Sequence, residues 1–452
     1  METPPPPPQQ QHFLFVTNPM QGHVNPARRL AAAVAACNPD ARVTFSTAVS
    51  GHRRMFPSLA RPDDEAVDAA GVLHARAFAA GHATLSAAVS RLAARGHPVT
   101  RIVYTFLVPW VPGVARAHGV PAALFWIQPA AVLAVYYRYF HGHAAALAAC
   151  ANGGGEDPGA ASGGVCLPGM PPLPPEALPS IVSITSPEHR HHLLLDLLRD
   201  LFQSLDEHRP MVLVNTFDAL EHDALRAVPE LEVAAVGPVV PAAGDAPPSS
   251  ADLLHRQDAE AAAAVMEWLD AKPARSVVYV SFGSVLSLSE RQEEEMRRGL
   301  DATGRPYLWV ARKKAAGDGG GGARGLVVEW CDQVRVLSHP AVGCFVTHCG
   351  WNSTLESVAR GVPMVAVPQW TDQPTVAWLV EARMGAGARA RVDGEGVVER
   401  GELRRCVEAV MGDGEAARGV RERSERWSEL AGEAVAPGGT SERNLRAFAS
   451  AG

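Results

Sequence analysis

Short apolar runs alternate with amphipathic stretches along most of the chain, the spacing expected of strands that leave a parallel sheet and return through a helix. Residues 12–17 read as a buried strand, 26–36 as a helix and 43–47 as the next strand. Runs at 102–105 and 122–126 continue the series, each followed by a helix-like stretch, and 211–215 and 232–236 close this half. Two stretches interrupt it: 152–164 is rich in Gly and Ala and 168–179 in Pro, so both read as surface loop. A Pro/Ala/Ser stretch at 237–250 reads as a boundary, after which the alternation restarts. Strands are expected at 277–282, 307–310, 342–346 and 364–367. Ser289 is placed to cap a helix running to about 302, a second helix is expected over 351–360, and Gly361 stands where a helix end favours a left-handed residue. The glycine-rich 313–325 reads as a loop. Two doubly wound α/β halves result, 12–238 and 258–430, joined by a linker at 239–257. Folds of that kind bind ligands at the carboxyl ends of their strands, so a cleft is expected there.

Composition narrows this picture. A chain of 452 residues exceeds one ordinary core, and 47% hydrophobic with 20% charged residues describes a globular protein. A net charge of −7 argues against a phosphate-backbone partner, so no nucleic acid is expected. Seven cysteines, an odd number without repeated CxxC spacing, read as reduced thiols in a cytoplasmic setting. Residues 1–11 carry no Lys or Arg and the apolar run behind them is short, unlike a signal peptide. No run approaches eighteen uninterrupted apolar residues, so no integral membrane association is expected.

The chemistry concentrates at one strand-to-helix junction. The 342–346 strand delivers Thr347-His348-Cys349-Gly350-Trp351-Asn352-Ser353 into the start of a helix. Such a helix start presents unpaired N–H groups and a positive dipole end, which together hold a phosphate. Gly350 allows close backbone approach, His348, Asn352 and Ser353 add side-chain donors, and Glu356 one turn on can accept from ribose hydroxyls. Trp330 offers a flat face to a base. Taken singly, each has a plainer explanation: Asn352 and Ser353 as helix caps, Trp330 as core.

The whole run 330–373, from Trp330 to Asp372-Gln373, resembles the 44-residue signature box of the plant UDP-dependent glycosyltransferases that act on secondary metabolites and hormones. The resemblance implies a GT-B fold, two Rossmann-like domains facing across a cleft, with the donor in the second and the acceptor in the first. It implies that Trp330 stacks on uracil, that Cys331 binds the base through its backbone, and that Gln333 lies near the ribose with Glu356. His348, Gly350, Trp351, Asn352 and Ser353 would form the diphosphate seat, with Gly283 and Ser284 as a further contact. Asp372 and Gln373 would bind sugar hydroxyls, and Gln at that position goes with glucose. In the first half, the run 18–26 places Gly22 and His23 just after the first strand, and His23 resembles the family's general base. Met20, Trp126 and Gln128 are expected to line the acceptor pocket. Residues 438–441 and the helix behind them resemble the family's last helix, so 431–452 is expected to pack back on the first domain. UDP-glucose would be donor co-substrate, with no cofactor and no metal; the acceptor would be a small hydrophobic acid or phenol, and the protein a monomer.

One departure from the family pattern matters. Where many members carry an Asp that orients and charges the base, this chain has Thr105. A hydroxyl orients an imidazole but does not stabilise an imidazolium as a carboxylate does. A carboxylic acid acceptor, with a pKa of about 4, is already ionised at neutral pH, whereas a phenol near 10 needs a base. The expectation is therefore an inverting enzyme that esterifies a carboxylate hormone such as abscisic, jasmonic, auxin-type or salicylic acid. Two alternatives stay open: a flavonoid or anthocyanin O-glucosyltransferase, since the Trp126-Ile127-Gln128-Pro129 run resembles a subgroup containing both, and a non-catalytic nucleotide-sugar-binding protein. A nicotinamide dehydrogenase is disfavoured because no GxGxxG follows the first strand. The histidine-rich 188–192 lacks metal-ligand spacing.

Overall fold

The computed structural model describes residues 10–47, 72–153, 164–189, 191–241, 259–283, 288–311 and 324–451. Ser284 and most of the loops expected at 152–164, 239–257 and 313–325 lie outside them. The chain forms two compact units, Met1–His141 with Ile184–Val239 and Val435–Gly452, and Gly142–Ser183 with Val240–Ala434.

The first unit holds strands β1 (His12–Thr17), β2 (Arg42–Thr47), β3 (Arg101–Thr105), β4 (Ala122–Trp126), β5 (Met211–Val214) and β6 (Val233–Ala235), in the order β2-β1-β3-β4-β5-β6. Every pairing is parallel. All six residues of β1 are buried, as suits a parallel strand covered on both faces. After β1 the chain turns to one side and after β2 to the other, so the order reverses between β1 and β3. Ligands of doubly wound sheets bind at such a reversal.

The second unit holds β7 (Val277–Ser281), β8 (Tyr307–Val310), β9 (Gly325–Val328), β10 (Val342–Thr347), β11 (Met364–Ala366) and β12 (Gly387–Arg389), again all parallel, in the order β12-β11-β10-β7-β8-β9. Its reversal falls between β7 and β10. Val278, Val280, Cys344, Val346, Leu403 and Val407 belong to one buried cluster of its core. Ser289 caps the Glu290–Ala302 helix by accepting from the Gln292 N–H at 3.2 Å. Gly361 is left-handed at φ 64°.

Three features differ from the sequence reading. The first helix spans Gln21–Cys37 with Pro26 inside it, so it begins earlier than the expected 26–36 and takes in part of the 18–26 run. β9 and β12, short and each beginning with Gly, were not among the expected strands. The Pro-rich stretch 168–179 is not wholly a surface loop: its Leu173, Ala177 and Leu178 are buried, and 142–183 clusters with the second unit rather than with the rest of 12–238. Its apolar side chains alternate with prolines, which ask for no backbone donor satisfaction. The last helix, Thr440–Ser450, lies in the first unit, with Phe448 against Phe13 and Ser441 donating to the Gly237 carbonyl at 2.6 Å.

Candidate active site

In the second unit the expected donor residues gather at the reversal between β7 and β10. β10 ends at Thr347, and Cys349 turns the backbone through φ 62° into the Trp351–Val358 helix. That turn is held by the Cys349 N–H on Thr347 Oγ1 at 3.2 Å. The N-cap is Gly350, which brings no capping side chain, and the positive dipole end of the helix there favours an anion. The His348 ring lies against two glycines. A Cβ at Gly350 would sit 2.5 Å from its Nε2, and one at Gly283 would sit 2.9 Å from its Cε1. Desolvation lowers the His348 pKa to about 4, so the ring is neutral at pH 7.

Upstream, Trp330 is half-buried and Cys331 buried. Gln333 is held from two sides: its Oε1 accepts from the Tyr279 hydroxyl at 3.3 Å, and its Nε2 donates to Ser353 Oγ at 3.0 Å and Glu356 Oε2 at 2.8 Å. Tyr279 thereby fixes which end of the amide meets the carboxylate. Tyr279→Phe should raise the KM for the donor about fivefold, the worth of one such hydrogen bond, and leave the acceptor KM unchanged in initial-rate kinetics.

Asp372 and Gln373, both buried, open the Gln373–Trp378 helix. Gln373 Oε1 accepts from the N–H groups of Gln369 (2.9 Å) and Trp370 (3.1 Å), which leaves its Nε2 as the group with hydrogens to give. The pair thus offers one acceptor and one donor to hydroxyls.

In the first unit, the reversal between β1 and β3 carries His23 and Thr105. His23 Nδ1 lies 3.0 Å from Thr105 Oγ1, which also accepts from the Asn18 N–H at 3.4 Å. The ring is 5% exposed and packs on Phe106, centroids 4.8 Å apart; burial lowers its pKa to about 3. A threonine hydroxyl can accept from Nδ1–H or donate to Nδ1. Only the first tautomer leaves the Nε2 lone pair free to take a proton. Because the folded pKa lies below the unfolded value of 6.5, the unfolded chain takes up a proton first as pH falls, and stability is lost below about 6.5. At pH 5 the loss is about 2 kcal/mol. His23→Gln should remove that share of the drop in melting temperature between pH 7.5 and 5.

Trp126 lies in the core instead of lining a pocket: it is fully buried, its indole N–H donates to the Pro129 carbonyl at 3.0 Å, and it supports Phe106 at 5.2 Å. Gln128 is half-buried, with an Oε1 that has no partner. Met20 is 38% exposed, and Gly22 precedes His23 in the first helical turn. One residue escaped the sequence reading. Glu221, 4% exposed, accepts from the Ala130 and Ala131 N–H groups, both at 2.9 Å, and so fills the start of the Ala130–Arg138 helix. Burial raises its pKa against those bonds. This helix start is therefore occupied by the protein's own carboxylate.

Among the described residues no group of three or more His, Cys, Asp or Glu is placed to hold a metal ion, and no helix is long and apolar enough to cross a membrane.

Two doubly wound units, each with polar side chains gathered where its strand order reverses, make this a protein of the α/β class with ligand-site geometry in both units. The pattern of the family described as UDP-glucoronosyl and UDP-glucosyl transferase matches residues 245–417. UDP-glycosyltransferase 75C1 of Solanum lycopersicum is 40% identical over 97% of both chains. Anthocyanidin 3-O-glucoside 5-O-glucosyltransferase 1 of Perilla frutescens is 41% identical over 96% of this chain and 97% of its own. The crystal structure of Os79 from O. sativa in complex with UDP superposes with a TM-score of 0.78 at 29% identity, covering 97% of this chain and 99% of that one. The chain belongs to the UDP-glycosyltransferase family, with the GT-B fold.

Proposed function

We propose that the protein transfers glucose from UDP-glucose to the carboxylate of a small plant acid, giving a β-glucose ester. The carrying observation is the His23–Thr105 pair, an imidazole with a pKa near 3 oriented by a hydroxyl where a carboxylate would make it a stronger base. An ionised acceptor needs no proton removed. Its oxygen attacks the anomeric carbon as the bond to the UDP oxygen breaks, with inversion, and UDP leaves carrying the bonding pair. The start of the Trp351–Val358 helix, with Asn352 and Ser353, takes up the charge that develops on the diphosphate. Trp330 and Cys331 hold the uracil, Gln333 and Glu356 the ribose, and Asp372 with Gln373 the glucose. Scattered reduced thiols fit a cytoplasmic protein.

A second reading, O-glucosylation of flavonoid hydroxyls, is favoured by the Perilla relative and by the unpartnered Gln128 Oε1, which takes a hydroxyl hydrogen but repels a carboxylate. The two are separated by offering plant acids and flavonoids together with UDP-glucose and reading products by mass spectrometry before and after mild alkali. Alkali-labile conjugates as main products support the ester. A flavonoid turned over far faster than every acid overturns it.

A further inference from the structure

The loop carrying Asp372 and Gln373 is held partly by its own bonds to Gln373 and partly from outside. Thr371 has φ 54°, a left-handed conformation that a β-branched residue adopts only when its surroundings impose it. What imposes it is the Pro-rich segment. The Ser180 N–H donates to the Thr371 carbonyl at 2.8 Å, and the Thr371 N–H donates to Ser180 Oγ at 2.7 Å, so one residue grips both sides of the strained position. Two residues beyond the pair, Thr375 Oγ1 donates to the Ala177 carbonyl at 2.6 Å. Thr371 in turn hands its hydroxyl to Asp372 Oδ1 at 2.8 Å, orienting the carboxylate.

From this geometry we infer that Ser180 is a positioning residue for sugar recognition: its paired hydrogen bonds to Thr371 aim Asp372 and Gln373, and so set which hexose the enzyme accepts. The inference rests on the reading of the second unit as the UDP-sugar site. Ser180 touches neither the junction at His348–Ser353 nor the Gln333–Glu356 cluster in any hydrogen bond described, so its effect is confined to the sugar. A general structural role would weaken every ligand alike.

The experiment compares wild type and Ser180→Ala for kcat/KM with UDP-glucose, UDP-galactose and UDP-xylose, and for inhibition by UDP. The glucose preference over both other donors should fall about 3–10-fold, the range of one lost orienting contact, with UDP inhibition unchanged within about twofold. Should Ser180→Ala fail to fold, Ser180→Cys keeps the volume and weakens the acceptor, and is read the same way. Unchanged donor ratios, or a loss of UDP affinity as large as the loss of turnover, overturn the inference. Absence of UDP inhibition in the wild type sinks the underlying donor-site reading instead.

Discussion

His23→Ala is expected to lower turnover of a phenolic acceptor by about 10²–10⁴, the ordinary worth of a positioned general base, and turnover of a carboxylate by less than about tenfold. A phenol keeps its proton at pH 7 and must lose it as its oxygen bonds to carbon, so removing the acceptor of that proton removes the step. A carboxylate has no proton to lose, and the imidazole then contributes contact and orientation only. The pair Nδ1–Oγ1 at 3.0 Å makes the contrast sharper. Thr105 does not offset the imidazolium charge, and the pKa near 3 shows how strongly the site resists that charge. Thr105→Asp should therefore speed phenols and do little for carboxylates. Parallel initial rates for one phenol and one acid, with wild type and His23→Ala, read the effect. An equal loss on both acceptors contradicts the assignment of the weak base to an ionised substrate.

The two halves and most strands were legible because parallel strands covered on both faces write themselves as unbroken apolar runs, as in all six buried positions of β1. β12 was not, since Gly387-Ala388-Arg389 has too few apolar side chains to form a run. The strand-to-helix junction at His348–Ser353 could be found because a helix start with small and polar residues is a local property. Strand order is not local, so the meeting of His23 with Thr105, 82 residues apart, needed the sheet. Glu221 was invisible for a related reason: an acidic residue in a helical stretch reads as surface until the fold brings it under Ala130 and Ala131. Trp126 misled in the opposite sense, since a large aromatic at a strand's carboxyl end suggests a pocket wall. Its indole N–H found its partner inside the same turn, so nothing kept it at the surface.

Gly350→Ala should weaken UDP by about 10²–10³ while leaving uridine binding unchanged within about threefold. The backbone there is at φ −61°, which alanine adopts freely, so the effect is steric and not one of strain. A methyl 2.5 Å from His348 Nε2 drives the imidazole from its place, at the helix start to which the proposed reading assigns the diphosphate. Losing one such donor to a developing negative charge costs about 2.7–4 kcal/mol, which is the range given. On the proposed reading Trp330, Gln333 and Glu356 hold the uridine, and the atoms nearest the added methyl all belong to His348, so uridine serves as the control for folding. Trp330→Ala should show the reverse signature, weakening uridine and UDP by the same factor, because the base is common to both. Isothermal titration of the two ligands against both variants separates these outcomes: parallel losses on Gly350→Ala would mean that the junction does not hold the diphosphate.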